Sequence, residues 1–315
     1  MTTPFKNILD HYLEIIENEM AHIDSYQEVP LFYEPIHYML DLKGKRIRPL
    51  LTLLSAMTFG GKVEEAKYAA AAVELLHNFT LVHDDIMDND STRRGKPTIH
   101  TKWDLGTAIL AGDGLMGLAF RKLLQSPRGN IPAMMGRLTE TMIVICEGQG
   151  LDKMFENIEN VSLDAYLDMI ARKTAVLIEM ACELGGMAAE ADINSIQTLK
   201  EYGYALGMGF QIQDDYLDIM ADETVLGKKI GSDIQMHKKT ILTILLREFT
   251  GGNDFFNLNL ADFKKLMDKY QVPDRVNSLY MNYFKTAYDK LTLLPSNDYA
   301  LQLKQLTDFL KNRSW

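Results

Sequence analysis

The stretch that decides the fold runs from residue 73 to residue 88 and reads VELLHNFTLVHDDIMD. Val73, Leu76 and Thr80 recur at spacings of three and four residues, which is the period of an α-helix with one buried face. The stretch ends on an acidic motif, residues 84–88, whose first and last aspartates share a helix face because they are four residues apart. Clustered carboxylates repel one another and are costly to bury unless they are paired or bound to metal. The stretch therefore predicts a helix that carries a cation site.

A second acidic motif, DDYLD at residues 214–218, begins 130 residues after the first. Phe210, Gln213 and Leu217 give its flank the same helical spacing. Neither motif contains Cys or His, and hard oxygen ligands favour Mg²⁺, which usually bridges a few carboxylates to substrate phosphates. The two motifs therefore indicate a shared site for Mg²⁺ and a phosphate compound.

Helical periodicity continues through most of the chain, whereas the alternation typical of strands is weak. Proline is absent between Pro49 and Pro97 and again between Pro132 and Pro273, which leaves long windows for helices. The breaks between these windows are short, and no shift in composition marks a second domain. The sequence predicts an all-α fold, a single-domain bundle of many helices that includes residues 1–315.

The composition excludes several classes of function. The chain has 33 basic and 43 acidic residues and a net charge of −10, which argues against binding to nucleic acid or to anionic membranes. Two cysteines provide no disulfide framework and no zinc spacing, which favours a reducing cytoplasmic compartment. No stretch approaches the roughly 20 apolar residues of a membrane span, and no apolar signal region begins the chain. We expect a cytoplasmic protein without a membrane span.

Cationic residues lie near both acidic motifs in the sequence. Arg93 and Arg94 follow the first motif in a loop with Gly and Pro, and arginine side chains suit bidentate phosphate binding. His77 precedes the first motif by two helical turns, on the same face. Each of these residues alone is typical of a solvated surface or a helix core, but their association with the acidic motifs predicts a diphosphate pocket. The other cationic sites are GKRIRP at residues 44–49, Lys173 with Thr174, Lys228, Lys238 and Lys239.

These motifs together closely resemble the trans-isoprenyl diphosphate synthases, the polyprenyl synthetase family of head-to-tail prenyltransferases. The resemblance extends from about residue 40 to residue 245. It implies an all-helical isoprenoid synthase fold with a deep central cavity, usually as a homodimer. Besides the acidic motifs, it rests on ELLH at 74–77, RRGKP at 93–97, GKRIRP at 44–49, Gly112-Asp113, Gly148-Gln149 with Asp152, Lys173-Thr174 and Gly227-Lys228.

The resemblance implies condensation of isopentenyl diphosphate with dimethylallyl, geranyl or farnesyl diphosphate, with three Mg²⁺ ions holding the allylic diphosphate. The metal ligands that it implies are Asp84, Asp85, Asp88, Asp214, Asp215 and Asp218. The residues that it implies for allylic diphosphate are Arg93, Lys173, Thr174, Gln211, Lys228 and Lys238. Those that it implies for isopentenyl diphosphate are Lys45, Arg48, His77 and Arg94. It assigns catalysis chiefly to Asp84, Asp88, Arg93, Lys173, Lys228 and Asp214.

Product length is predicted from the helix wall before the first acidic motif. In the family, side-chain bulk four and five residues before the first aspartate forms the floor of the product tunnel. Here those positions hold the small Thr80 and the aromatic Phe79, and Leu76 lies further along the wall. This pattern favours a short product, C20 geranylgeranyl diphosphate ahead of C15 farnesyl diphosphate. The alternative is that the Phe79 side chain only packs in the core and does not limit the product.

Other functions fit the sequence less completely. A longer-chain polyprenyl synthase would share the motifs. A terpene cyclase would have a mixed Asn/Ser/Glu second motif, and a non-catalytic subunit of a heteromeric synthase would lack one acidic motif. Two Glu-x-x-His words, at Glu74 and Glu19, suit a di-iron bundle, but that function leaves both acidic motifs unexplained.

Overall fold

The computed structural model describes residues 3–21, 29–42, 44–220 and 238–313. Helices occupy most of these residues. The strands among them are the two-residue β1 (Thr92–Arg93) and β2 (Lys96–Pro97), which pair with each other antiparallel. The all-α prediction is confirmed. Within the described ranges, no helix has the length and apolar character that crossing a bilayer requires.

The first ten α-helices cover the described chain up to residue 220. In chain order they are α1 Thr3–Ala21, α2 Pro30–Asp41, α3 Ile47–Thr58, α4 Val63–Met87, α5 Ile99–Lys102, α6 Leu105–Leu124, α7 Ile131–Glu156, α8 Leu163–Ile170, α9 Val176–Ala188 and α10 Ile193–Met220. A π-helical turn, Ala171–Ala175, joins α8 to α9. Beyond residue 238 the α-helices are Ile241–Thr250, Leu260–Lys269, Val272–Leu291 and Asp298–Lys311, with a 3₁₀ turn at Asp254–Asn257.

The chain groups into two compact units. The first consists of Met1–Met142, Met180–Leu199 and Pro295–Leu303, and the second consists of Ile143–Glu179, Lys200–Leu294 and Lys304–Trp315. The first acidic motif belongs to the first unit, and the second acidic motif belongs to the second. The interpretation of residues 1–315 as one domain stays a prediction.

Helix α4 is the centre of the first unit. It packs against α6 and α3, and its alanines from Ala69 to Ala72 are completely buried, as expected of a helix that is covered on all sides. The helix ends at Met87, and Asn89, two residues further on, has a left-handed backbone with φ 54°, a common way to terminate a helix. The core therefore holds the first acidic motif at the C-terminal end of α4.

In the second unit, two glycines allow close packing around the π-helical turn. A Cβ on Gly148 of α7 would lie 2.4 Å from the backbone N of Lys173, and one on Gly207 of α10 would lie 2.7 Å from the Cα of Ala175. Any larger residue at either position would push the turn away. π-helical turns are rare and occur often at functional sites. The turn therefore indicates that Lys173 and its neighbours belong to a functional site.

Candidate active site

In the first acidic motif, the middle aspartate differs from the other two. Asp85 is only 3% exposed, and its Oδ1 accepts hydrogen bonds from Arg93, at 2.6 Å from Nε and 2.5 Å from Nη2. Burial raises the pKa of Asp85, while the Arg93 guanidinium opposes that shift. Asp84 and Asp88 are partly buried at the end of α4. Asp85 is thus held by the protein, and Arg93 is fixed beside the motif.

Arg94 lies in a strained turn between β1 and β2. Arg94 and Gly95 have positive φ angles of 52° and 74°, as the two-residue loop of a type I′ hairpin requires. A non-glycine residue in this conformation is costly and is found often at functional sites. The Arg94 guanidinium donates a 2.6 Å hydrogen bond to the carbonyl of Leu42. It also lies against Gly44, where a Cβ would be 2.8 Å from Nη2.

Arg48 and His77 meet in the same unit, where Arg48 Nη1 lies 3.2 Å from His77 Nε2. Burial lowers the pKa of His77 well below its ordinary value, and Arg48, Arg94, Arg93 and Arg46 lower it further. His77 is therefore neutral at pH 7, so its Nε2 can accept the hydrogen bond from Arg48. We call Lys45, Arg48 and Arg94, together with the neutral His77 among them, the cationic cluster. The structure brings Arg48 to His77 and Arg94 to the loop that carries the exposed Lys45.

The second acidic motif repeats the arrangement of the first. The middle aspartate, Asp215, is 9% exposed, and both of its carboxylate oxygens accept hydrogen bonds. Tyr166 Oη donates to Oδ2 at 2.6 Å, and Gln211 Nε2 donates to Oδ1 at 2.7 Å. Asp214 has a side chain that is 58% exposed, and Asp218 is partly buried. In both motifs, other side chains of the protein thus donate hydrogen bonds to the middle carboxylate, whereas the outer carboxylates lie nearer to solvent.

A cavity of about 250 Å³ opens beside the second acidic motif. It combines carboxylates with ammonium groups, and Lys173 Nζ lies 2.6 Å from Asp152 Oδ2. Carboxylates are ligands for Mg²⁺ and ammonium groups bind phosphate, so the donor set fits a Mg²⁺–diphosphate complex. The lining residues are Asp152, Tyr166, Met169, Ile170, Lys173, Thr174, Gln211, Asp214, Asp215, Asp218, Lys238, Lys239 and Thr240.

Among the residues that the structure describes, no three His, Cys, Asp or Glu side chains converge closely enough to hold a metal ion. A Mg²⁺ ion usually takes only one or two carboxylates and completes its shell with water and substrate phosphates. The outer aspartates of either motif suit this kind of site better than a metal cage formed by the protein alone. Lys228, also predicted to contact the allylic diphosphate, lies outside the described residues.

The sequence did not point to Arg313, which contacts the second acidic motif. Its Nη1 lies 3.1 Å from Asp214 Oδ1, and its Nε donates to Gln213 Oε1 at 3.0 Å. It also donates to the carbonyl of Phe210 at 2.6 Å and stacks 3.8 Å from the centre of that ring. Gln213 in turn donates to the carbonyl of Lys311 at 2.7 Å. The C-terminal segment is thereby fixed to α10 beside the motif.

The predicted chain-length residues lie about one to two helical turns before Asp84 on α4. Leu76 is completely buried. Phe79 is 7% exposed, and its ring packs edge-on against His83 with 4.8 Å between centroids. Thr80 donates a 2.8 Å hydrogen bond to the carbonyl of His77. The use of these residues as a tunnel floor stays a prediction.

The all-α fold is that of the isoprenoid synthases. The sequence pattern of the polyprenyl synthetase family matches residues 29–270. A geranylgeranyl diphosphate synthase of Sulfolobus acidocaldarius is 39% identical, and the alignment covers 96% of this chain and 98% of that protein. The chain therefore belongs to the polyprenyl synthetase family, and it is a prenyltransferase.

Solved structures agree with this assignment. The structure of a geranylgeranyl pyrophosphate synthetase from Pyrococcus horikoshii has a TM-score of 0.92 at 32% identity, with 98% of each chain covered. A decaprenyl diphosphate synthase from Rhodobacter capsulatus has a TM-score of 0.90 at 28% identity, with 99% of each chain covered. Synthases named for products of very different length thus share the fold, so the fold alone does not determine the product.

Proposed function

We propose that this prenyltransferase is a Mg²⁺-dependent geranylgeranyl diphosphate synthase that extends dimethylallyl, geranyl or farnesyl diphosphate with isopentenyl diphosphate. The observation that carries the proposal is the cavity beside the second acidic motif, where four carboxylates and three lysines line one space. A diphosphate with bound cations carries both signs of charge and matches this lining. Farnesyl diphosphate synthase is the main alternative.

In the proposed reaction, the bond between C1 and oxygen of the allylic substrate breaks, and the diphosphate leaves with the electron pair. The double bond of isopentenyl diphosphate then forms the new carbon–carbon bond, and a proton leaves C2 of that unit, with the departing diphosphate as its acceptor. Bound Mg²⁺ would supply charge stabilisation to the leaving group. Preplaced cations that stabilise charge developing in the transition state make the largest contribution to such catalysis.

Asp84, Asp88, Asp214 and Asp218 are the candidates to hold three Mg²⁺ ions, because they are the outer aspartates of the two motifs. The middle aspartates would support them indirectly, since Arg93 holds Asp85 and Tyr166 and Gln211 hold Asp215.

The cationic residues divide into two sets in the proposal. The allylic diphosphate would bind Lys173, Thr174, Gln211 and Lys238, all of which line the cavity, together with Arg93 and Lys228. Isopentenyl diphosphate would bind the cationic cluster. A neutral His77 suits this role, because it adds a hydrogen-bonding group without a further charge to repel Arg48.

A C20 product is supported by the aromatic side chain at position 79. Phe79 is buried, and a phenyl ring five residues before Asp84 would stop a growing chain earlier than a small residue would. The small Thr80 beside it leaves more room than two aromatic residues would, which favours C20 over C15.

We further propose that the enzyme is a cytoplasmic homodimer. Helix α6 carries the exposed apolar residues Leu105, Ile109 and Leu110, which are 55%, 43% and 50% exposed. Contiguous exposed apolar surface is typical of a protein interface, and a second copy of the chain would cover it. The cytoplasm is favoured by the absence of a disulfide framework in the sequence. Light scattering after size exclusion tests the dimer, and a monomer at micromolar concentration would contradict it.

Asp88→Ala tests the metal assignment. The variant should lose nearly all turnover with isopentenyl and farnesyl diphosphate, because the site would lose an outer carboxylate. The matched control is Asp289→Ala, which removes an exposed aspartate of the helix Val272–Leu291. The control should keep wild-type activity. Near-normal turnover by Asp88→Ala would remove this residue from the metal site.

A further inference from the structure

We propose that Arg46 and Glu74 are positioning residues, whose buried ion pair sets the geometry of the cationic cluster. Both residues lie within motifs of the family resemblance, but neither is among the substrate-binding, metal-binding or catalytic residues that it implies. The inference rests on the proposed function, because it concerns how the enzyme presents the cluster to isopentenyl diphosphate.

The ion pair lies deep in the first unit. Arg46 Nη1 is 2.6 Å from Glu74 Oε1, and the two side chains are only 1% and 3% exposed. Arg46 Nη2 also donates a 2.5 Å hydrogen bond to the carbonyl of Leu40, at the end of α2. Apolar residues can often replace a buried ion pair without loss of stability. The pair, with its further hydrogen bond to Leu40, is therefore expected to matter for its directed geometry more than for stability.

The backbone at Arg46 requires an anchor of this kind. Arg46 has a left-handed backbone, with φ 47° and ψ 37°, directly before the first residue of α3. This conformation is unfavourable for a residue with a Cβ and persists where the surroundings hold it. The turn directs Arg46 into the core, while Lys45 before it is exposed and Arg48 after it is partly exposed. The ion pair thus fixes the turn from which two members of the cluster project.

Glu74 connects this turn to the helix that carries His77. Glu74 lies on α4, three residues before His77, and so occupies a neighbouring position on that helix. Asn78 Nδ2 donates to the Glu74 carbonyl at 2.7 Å and lies 3.3 Å from its Oε1, which fixes the carboxylate further. The ion pair therefore ties the start of α3 to the turn of α4 that carries His77. The contact between Arg48 and His77 is a second, more exposed connection between the same elements.

Loss of the ion pair should weaken binding at the cationic cluster specifically. Without it, Lys45 and Arg48 would no longer be held in register with His77, and misplacement of about 1 Å can cost roughly a hundredfold in an oriented site. We expect at least about a tenfold loss of affinity for isopentenyl diphosphate. The KM for the allylic substrate should stay unchanged, because the residues proposed to bind it are anchored separately.

The test uses the double variant Arg46→Met/Glu74→Leu, which removes both charges and leaves no unpaired one in the core. Calorimetric titration with isopentenyl diphosphate alone gives its Kd, and steady-state kinetics give the KM for each substrate. The matched control is Arg137→Met/Glu183→Leu, which removes another ion pair of the first unit, at 2.5 Å and 14% and 13% exposed. The control should bind isopentenyl diphosphate like the wild type.

Three outcomes separate the possibilities. Weaker binding of isopentenyl diphosphate by the Arg46/Glu74 variant, with an unchanged KM for farnesyl diphosphate, would support the proposal. Wild-type affinity in that variant, or an equal loss in the control, would overturn it. Failure of the wild type to bind isopentenyl diphosphate would overturn the proposed function itself. Arg46→Met/Glu74→Met provides a second apolar pair, to which the same criteria apply if the first does not fold.

Discussion

His77 should make the stability of the protein depend on pH. Burial and four neighbouring arginines lower the pKa of His77 well below 6.5, its value in an unfolded chain. Between these two pKa values the unfolded chain binds a proton that the folded protein does not bind, so acid favours unfolding. The stabilisation is therefore complete above about pH 6.5 and is lost as the pH falls towards the lowered pKa.

The magnitude follows from the linkage relation. For one histidine that titrates at 6.5 when unfolded and stays neutral when folded, unfolding becomes easier by about 1.4 kcal/mol between pH 7.5 and pH 5.5. His77→Gln removes the titrating group, and its amide oxygen can still accept a hydrogen bond from Arg48. The difference in unfolding free energy between wild type and variant should change by this amount across the interval.

Guanidinium unfolding of both proteins at pH 7.5, 6.5 and 5.5 measures this difference. The comparison isolates His77, because the other titrating groups are common to the two proteins. A difference that stays constant across the three pH values would refute the reasoning, since His77 would then titrate alike in the folded and unfolded chains.

Three further substitutions test separate parts of the account. Phe79→Ala should shift the products beyond C20, measured by chromatography of the dephosphorylated alcohols, and an unchanged distribution would exclude Phe79 as a floor. Arg313→Met removes charge-assisted hydrogen bonds and should lower the free energy of unfolding by about 1.5–3 kcal/mol, and wild-type stability would show that the C-terminal contact is dispensable. Tyr166→Phe removes one of the two hydrogen bonds to Asp215 and should lower kcat with little change in circular dichroism, whereas wild-type kcat would show that this hydrogen bond does not support catalysis.

Much of the fold could be predicted from local sequence. Helix α4 shows the expected period, and its end at Met87 follows from the polar residues after Asp88, with Asn89 in the left-handed conformation. The all-α class follows from the same periodicity over the rest of the described chain. These features depend on contacts between residues that are close in sequence.

The differences among site residues depend on tertiary packing and were harder to predict. In the sequence, the middle aspartates look like their neighbours, but both are buried: Asp85 is held by Arg93 of the following hairpin, and Asp215 is held by Tyr166, 49 residues away along the chain. Arg46 looks like one more cation of GKRIRP, yet its own left-handed backbone directs its side chain into the core. Arg313 lies about a hundred residues from Gln213 along the chain, and no local sequence pattern indicates that the two side chains are in contact.

Incubation of the purified protein with farnesyl diphosphate, labelled isopentenyl diphosphate and Mg²⁺ tests directly whether it is a geranylgeranyl diphosphate synthase. We expect one five-carbon addition, a C20 diphosphate as the main product, and loss of the reaction when a chelator removes the metal. Absence of elongation, with this primer and with the shorter dimethylallyl and geranyl primers, or elongation that persists without a divalent cation, would contradict this expectation.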